Sequence, residues 1–344
     1  VDGHDFVAVA AERGAAATLV QHPVDTVLPQ LVTPNTEAAL AAYGKLVRSA
    51  YDGVLVGITG SAGKTTAKNM LAAVFARVGR VLATEGNLNN ELGVPLTLAS
   101  LEQTTEFAVL EMGAGKPDDI AWLQGIAQPT VGVLLNVAPA HLAQFESLDH
   151  IAETKAAILT GLPEGGVAVF NGDQSWRDYW IERAGGARKV TFGLSDDVDY
   201  RADNIVYRGF EGTEFELHTP EGKFRLRLLI PGQAGVYNAL AATAVAHTLG
   251  VGMSSIASSL SELTPASGRG QVHWLRGDVR LVDDSYNANP LAMKSALEAL
   301  AQSPGHTRLV MGSMLELGDD APAMHAEIGA LARERQIDEL WAVG

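Results

Sequence analysis

The sequence contains no cysteine and no long uninterrupted apolar run. Without cysteine, neither a disulfide framework nor a thiolate metal centre can form, and a reducing compartment is compatible with the chain. No stretch approaches the roughly 18 consecutive apolar residues that predict a membrane-spanning helix. The first residues also lack a basic segment followed by an apolar one, so we predict an untargeted cytoplasmic protein without membrane insertion.

Positive charge is also scarce. Lys and Arg total 25 against 40 Asp and Glu, which gives a formal net charge of −15. This balance suits a polyanionic partner poorly, and we predict that the protein does not bind nucleic acid. A small molecule with phosphate groups is still compatible, because local backbone amides and a few cations are enough to bind it.

The hydrophobic pattern predicts an α/β protein of two or three domains. The 344 residues are too many for one ordinary core, and 47% of them are hydrophobic. Short apolar strands alternate with helices between Val54 and Phe170, which is typical of a parallel, doubly wound sheet. From about 198 to 230 the alternation of polar and apolar residues predicts antiparallel hairpins at the edge of that sheet.

The predicted domains are 1–48, 49–268 and 269–344. The last boundary falls in the segment 264–270, where Pro265, Gly268 and Gly270 form the best candidate for a hinge. The third domain repeats the alternation of strand and helix. Its final segment, 340–344, is typical of a buried strand that stops at a loop, so we expect both ends to be cuts through a longer protein.

A glycine-rich turn lies between an apolar strand and a helix, at Gly60-Ser61-Ala62-Gly63-Lys64-Thr65-Thr66. Backbone amides at a helix N-terminus favour phosphate oxygens. Lys64 is expected to reach the β and γ phosphates of a nucleotide, and Thr65 to offer its hydroxyl to Mg²⁺. The usual spacing would place a glycine at Ile58. A plain glycine turn with a surface lysine is the alternative interpretation.

Glu111 and His141 follow two strands of the predicted sheet. Ligands bind at the carboxyl edge of such sheets, and Mg²⁺ prefers oxygen ligands beside substrate phosphates. Glu111 is therefore a candidate metal ligand, and His141 would lie on the same rim. A solvated strand-end Glu and a structural His are the alternatives.

Lys155 lies four residues after Ile151 and three before Ile158 in a predicted helix, so it falls on the apolar stripe. A partly buried lysine has a lowered pKa, and its neutral amine can react with CO₂ to give a carbamate with oxygen donors. The alternative is a stem that lies along the apolar surface with its ammonium in water.

Two further segments carry polar clusters. Asn87, Asn89 and Asn90 offer paired donors and acceptors to a polar substrate, or else form an asparagine-rich turn. In Asp283-Asp284-Ser285-Tyr286-Asn287-Ala288-Asn289-Pro290, the last two residues are a good N-cap and N1 pair. The two aspartates and the tyrosine exceed what a cap requires. Arg269, in the hinge, is able to swing onto a phosphate or to be an ordinary surface arginine.

Together these residues resemble the Mur ligases of peptidoglycan synthesis, and most closely the branch that joins D-alanyl-D-alanine to a UDP-N-acetylmuramoyl-tripeptide. The matching segments are Thr59 to Thr65, Gly86 to Pro95, Glu111 to Ala114, His141-Leu142, Lys155, Gly268-Arg269, Asp283 to Pro290 and Met314 to Gly318. Asp2 to Phe6 is similar to the end of the family's first domain.

The resemblance implies a monomer of three domains, which bind the uridine nucleotide, ATP in a P-loop domain, and the amino substrate. ATP would phosphorylate the carboxylate of the nucleotide-linked peptide, and the amine would attack the acyl phosphate. Carried over by position, the catalytic residues are Lys64, Glu111, His141, Lys155 and Arg269. The ATP contacts are Gly60 to Thr66, Asn238, Arg269, Asp284, Tyr286 and Asn287. Thr65, Glu111, His141 and carbamylated Lys155 would hold two Mg²⁺ ions, and Asn87, Asn89 and Asn90 would line the muramoyl-peptide side.

This chain departs from the family at Ala234-Gly235, where many members carry His-Asn, so part of the adenine pocket differs. Other interpretations also stay open. They are a different Mur-type ligase, a ligase that adds glutamate to folate, a P-loop kinase or GTPase, and a nucleotide-binding scaffold without catalysis.

Overall fold

The computed structural model describes residues 2–138, 145–315 and 317–344. In these ranges the strands are β1 Thr18–Val20, β2 Gln30–Val32, β3 Val54–Thr59, β4 Val81–Ala83, β5 Phe107–Glu111, β6 Val131–Leu134, β7 Val167–Asn171, β8 Arg188–Gly193, β9 Tyr200–Tyr207, β10 Thr213–Thr219, β11 Gly222–Leu228, β12 Gln271–Leu275, β13 Val279–Asp283, β14 Arg308–Met311 and β15 Glu339–Ala342. The α-helices are α1 Val7–Glu12, α2 Thr36–Ser49, α3 Lys64–Phe75, α4 Gly93–Ala99, α5 Asp119–Ala127, α6 Leu148–Ala156, α7 Arg177–Arg183, α8 Gly232–Thr248, α9 Met253–Glu262, α10 Pro290–Ala301 and α11 Ala321–Glu334. Three short 3₁₀ turns are Gly3–Phe6, Ala157–Leu159 and Gly318–Asp320.

The central sheet has nine strands in the order β11-β10-β9-β8-β7-β6-β3-β5-β4. The strands from β4 to β9 pair in parallel, whereas β9, β10 and β11 pair antiparallel. This confirms a doubly wound sheet with antiparallel hairpins at one edge. The parallel strands are apolar throughout because helices cover both faces of the sheet.

The two faces of the sheet have separate cores. Val109 of β5 packs with residues of α3, α8 and α9, while its neighbours Ala108 and Leu110 pack with α4, α5, α6 and α7. Successive side chains of a strand point to opposite faces, which accounts for this division.

Strand β3 lies between β5 and β6 at the centre of the sheet. After β3 the chain builds β4 and β5 on one side and then crosses to build β6 on the other. Ligands bind in α/β sheets at the carboxyl ends of strands where the winding reverses in this way. The topology therefore predicts a ligand site at the loop after β3.

The segments flanking the central sheet are smaller. Strands β1 and β2 pair in parallel, and α2 then packs against α4 and α5. From α2, Arg48 donates hydrogen bonds to the carbonyls of Ala127 at 2.8 Å and Gln128 at 2.9 Å, and so caps the C-terminus of α5. After the central sheet, β12 and β13 form a hairpin, and α10 and α11 pack with the parallel pair β14 and β15.

The prediction that the final strand is buried is wrong. The final strand forms, but it is exposed, with Leu340 at 41% and Trp341 at 55%. Both faces of this strand are therefore partly open to solvent, because Leu340 and Trp341 are neighbours that point to opposite sides. No helix in the described ranges has both the length and the apolarity needed to cross a bilayer.

Candidate active site

The loop after β3 is fixed by the segment that follows β6. The backbone N–H of Ser61 donates to the carbonyl of Asn136 at 3.0 Å. The Asn136 side chain accepts from the N–H of Ala62 at 2.9 Å and donates to its carbonyl at 3.0 Å. The hydroxyl of Ser61 also donates to the carbonyl of Ala138 at 3.0 Å. These contacts hold the loop open ahead of helix α3.

Gly63 is required at the start of α3. Its φ of +82° lies in the left-handed region, and a Cβ there would lie 2.4 Å from Oδ1 of the buried Asn238. The absence of a side chain leaves a cradle of backbone amides at the helix N-terminus, which suits phosphate oxygens. Asn238, on α8, forms the floor of this cradle.

Lys64 lies over the same loop, and its Nζ donates to the carbonyl of Gly60 at 2.8 Å. Burial lowers the pKa of Lys64, and the positive charge of Arg269 adds to this, while Glu111 acts in the opposite direction. In this position the Nζ of Lys64 bonds to its own loop and can turn towards a phosphate bound in the cradle. The negative charge of that phosphate would favour the protonated form of Lys64.

Glu111 ends β5 and is only 3% exposed. Its Oε2 accepts from the hydroxyl of Thr65 at 2.7 Å and its Oε1 from the side-chain amide of Asn89 at 2.8 Å. The carboxylate, the hydroxyl and the amide thus meet beside the phosphate loop. Such oxygen donors fit a hard cation such as Mg²⁺.

Lys155 lies in the last turn of α6 and is 3% exposed, on the apolar side of its helix. Burial lowers its pKa to about 7, with the charge of Lys64 adding to the effect and Asp119 opposing it. A large fraction of the amine is therefore neutral near pH 7, as carbamate formation requires. His141, the other predicted metal ligand, lies outside the described residues.

Arg269 forms part of the opposite wall, between two glycines of positive φ, Gly268 at +70° and Gly270 at +84°. Its guanidinium lies 4.0 Å from the centroid of the Tyr286 ring. The backbone N–H of Tyr286 donates to the carbonyl of Gly268 at 3.0 Å, so the predicted hinge is tied to the segment after β13. At the end of that segment the predicted cap of α10 is confirmed, since Asn289 accepts from the N–H of Ala292 at 2.9 Å.

A single cleft of about 1780 Å³ brings these groups together. The predicted site residues that line it are Gly60, Ser61, Ala62, Gly63, Lys64, Thr65, Thr66, Asn87, Asn89, Asn90, Glu111, Lys155, Asn238, Arg269, Asp284, Tyr286 and Asn287. Ala234 and Gly235 also line the cleft. Gly235 is buried, and a Cβ added there would lie 3.0 Å from the side chain of Ile230, which is a tight contact.

The cleft also contains polar residues that sequence patterns did not identify: Asn136, Asn171, Gln174 and Tyr237. Gln174 accepts from the N–H of Val137 at 2.9 Å, and the hydroxyl of Tyr237 donates to Asp173 at 2.7 Å. Asn136 and Asn171 each stand at the carboxyl end of a parallel strand. That position was the signal that could have identified them.

Both the sequence and the fold are similar to those of known proteins. Residues 58–246 match the Mur ligase middle domain, and residues 268–344 match the Mur ligase, glutamate ligase domain. The UDP-N-acetylmuramoyl-tripeptide–D-alanyl-D-alanine ligase of Escherichia coli (strain K12) is 39% identical over 347 residues, which cover 100% of this chain and 76% of that protein.

Two solved structures are similar over the whole fold. MurF from Acinetobacter baumannii superposes with a TM-score of 0.93 at 35% identity, covering 100% of this chain and 75% of that one. The MurF ligase from Thermotoga maritima, solved in complex with ADP, gives a TM-score of 0.86 at 33% identity, covering 99% and 78%.

Proposed function

This chain belongs to the Mur ligase family, and we propose that it joins D-alanyl-D-alanine to a UDP-N-acetylmuramoyl-tripeptide in an ATP-dependent reaction of peptidoglycan synthesis. The observation that carries the proposal is the single cleft, which places the phosphate loop, the buried Glu111 and Lys155, and the asparagines of 87–90 around one space. The relatives that match along the whole chain carry the name of this ligase.

The reaction has two balanced steps. A carboxylate oxygen of the peptide attacks the γ phosphorus of ATP, and the bond from that phosphorus to the oxygen bridging to ADP breaks. The amine of D-alanyl-D-alanine then attacks the acyl carbon, phosphate leaves and the amine loses a proton. ATP and the peptide carboxylate are both anions, so cations must screen them as charge moves to ADP.

The residues of this chain divide that work. The amides of Gly60 to Thr66 and the ammonium of Lys64 would hold the β and γ phosphates, and Asn238 supports the cradle from below. Arg269, Asp284, Tyr286 and Asn287 would contact ATP from the other wall. Asn87, Asn89 and Asn90 would orient the muramoyl peptide, and closure of the walls would exclude water from the acyl phosphate.

Metal ligands are proposed from the same cleft. Thr65, Glu111, His141 and Lys155 would hold two Mg²⁺ ions, with Lys155 as a carbamate formed from its neutral amine and CO₂ with loss of a proton. Bound Mg²⁺ would neutralise charge on the phosphate oxygens. The support from the structure is that Thr65 and Glu111 already contact each other at 2.7 Å and that Lys155 is buried with a pKa lowered to about 7.

We also propose the domain division 1–48, 49–268 and 269–344, for the uridine-nucleotide, ATP and amino-substrate domains. The hinge glycines at 268 and 270 support the second boundary. The use of ATP and a UDP-linked substrate supports a cytoplasmic enzyme, and we propose that it acts as a monomer, as the family resemblance implies.

The test is phosphate release from ATP by the purified protein with UDP-muramoyl-tripeptide and a series of amines. We expect release that requires D-alanyl-D-alanine and is not supported by glutamate. Equal release with glutamate would indicate one of the other amide-forming ligases. Release that is independent of any amine would point to a kinase or simple nucleotidase, and the proposal would be wrong.

A further inference from the structure

A second lysine of α3 is buried beneath the cleft. Lys68 lies one helical turn beyond Lys64 and is 6% exposed. Its Nζ donates to the carbonyl of Thr84, just after β4, at 2.6 Å. Burial lowers the pKa of Lys68, while the charge of Glu111 opposes this. Burial of an ammonium is costly unless hydrogen bonds replace its lost hydration. The buried position of Lys68 therefore indicates that its hydrogen bond has a specific role.

The partner of Lys68 is itself part of the site. The hydroxyl of Thr84 accepts from the backbone N–H of Glu111 at 2.9 Å, and the N–H of Thr84 donates to the carbonyl of Val109 at 3.0 Å. Thr84 is therefore held by β5 on one side and by Lys68 of α3 on the other. Glu111 is positioned at its backbone by the same residue.

The asparagine loop, residues 85–92, starts directly after Thr84 and carries Asn87, Asn89 and Asn90. Its Asn89 returns to Glu111, donating to Oε1 at 2.8 Å, and Thr65 of α3 donates to Oε2 at 2.7 Å. Helix α3, the end of β4 and the end of β5 thus form a closed circuit of hydrogen bonds around Glu111. Lys68 completes this network through its hydrogen bond to Thr84, on the side away from the cleft. Lys64 and Thr65 line the cleft itself.

We infer that Lys68 is a positioning residue of the ligase reaction: by holding the carbonyl of Thr84, it fixes Glu111 and the asparagine loop in register at the phosphate end of the cleft. The inference rests on the proposed function for its kinetic effect, but its structural effect on residues 84–92 can be measured without turnover. Lys68 acts through Thr84 and does not need to touch a substrate.

The central variant is Lys68→Met, which keeps the length of the side chain and removes its donor. We expect kcat/KM for the nucleotide-linked peptide to fall by about 10- to 100-fold, as for other groups that orient a ligand from behind. We also expect amide hydrogen exchange in 84–92 to accelerate. The melting temperature should change little, because removal of a buried charge offsets the cost of leaving the Thr84 carbonyl without this donor. Lys68→Arg, which retains donors, should restore part of the activity.

Met70→Ala is the matched control, since Met70 is fully buried on the same helix and packs in the core. It should lower the melting temperature by leaving a cavity, with the KM and the exchange of 84–92 near those of the wild type. A structural role alone would make Lys68→Met behave like Met70→Ala.

The outcomes separate the two proposals. Wild-type kcat/KM in Lys68→Met, or unchanged exchange in 84–92, would overturn the positioning role. If the wild-type protein releases no phosphate with D-alanyl-D-alanine, the proposed function fails, and faster exchange in 84–92 of Lys68→Met would still support the role of Lys68 in fixing the loop.

Discussion

The two walls of the cleft differ in how firmly their residues are held. On the wall formed by the central sheet, Glu111 and Lys155 are each 3% exposed and Asn238 is 4% exposed. On the opposite wall Tyr286 is 52% exposed, and Asp284 and Asn287 are exposed as well. The first wall is built from helices and strands that pack in the two cores of the central sheet, whereas the second comes from the predicted hinge and a loop.

This difference indicates a division of labour. Groups that must meet phosphates in exact geometry are best placed on rigid elements, because small displacements are costly in rate. Groups that close over a bound nucleotide need freedom to move. Substitutions on the sheet wall should therefore affect the reaction more strongly than those on the hinge wall.

The largest expected effect is that of Lys155→Ala on the sheet wall. Loss of the side chain removes the proposed carbamate, so we expect phosphate release to fall by about 100-fold or more. Added short carboxylates should restore part of the activity by supplying the missing oxygen donors. The measurement is the steady-state rate of phosphate release with and without acetate.

Lys189→Ala is the control for loss of a positive charge, because Lys189 is exposed near the start of β8 and does not line the cleft. This variant should keep wild-type rates. Full activity in Lys155→Ala would rule out the carbamate.

A second effect concerns stability and its dependence on pH. Lys155 has a pKa of about 7 in the native state against 10.5 for an ordinary lysine. Below about pH 7 both states hold the proton, and the native state bears the full cost of the buried charge. Between about pH 7 and 10.5 only the unfolded state binds it. Stability relative to Lys155→Met should therefore rise with pH, by at most about 1.4 kcal/mol per pH unit.

Urea unfolding of both proteins at pH 6 and pH 9, in buffers free of CO₂, measures this difference. A constant gap between the two unfolding free energies at these pH values would show that Lys155 titrates normally. The sheet wall would then be less closed to water than its burial indicates.

The smallest expected effect is on the hinge wall, for Tyr286→Ala. Removal of the ring takes away the surface on which the Arg269 guanidinium lies at 4.0 Å. An exposed cation–π contact contributes about 0.5–1 kcal/mol, so the KM for ATP should rise by about 2- to 5-fold. Tyr286→Phe keeps the ring and should match the wild type. A loss as large as that of Lys155→Ala would contradict the proposed contrast between the walls.

Local patterns predicted much of the architecture. The apolar strands from Val54 onward, the helix that begins at Lys64 and the antiparallel hairpins between 198 and 230 all follow from hydrophobic periodicity. The cap formed by Asn289 was also readable, because capping depends on residues only three apart.

Other features could not be predicted because they depend on distant partners. Asn136 pins Ala62 across 74 residues of sequence, and the contact of Gly63 with Asn238 spans even more. Helix α5 and strand β12 gave no clear local signal, since short elements owe their structure mainly to tertiary packing. The role of Lys68 could not be predicted either, because its position in the helical repeat of α3 does not distinguish it from other buried residues of that helix.

The long separation between the phosphate loop and its supports has a consequence for synthesis of the chain. Gly63 is synthesised well before α8, which carries Asn238. Strand β3 likewise cannot pair on both sides until β5 and β6 have been synthesised. At about 5–20 residues per second, the delay between the loop and α8 is on the order of ten seconds. A nascent chain on the ribosome thus passes through a period in which its nucleotide loop exists without a floor. Nucleotide binding should begin only once α8 has emerged, which makes it a marker of the moment when the central domain is complete.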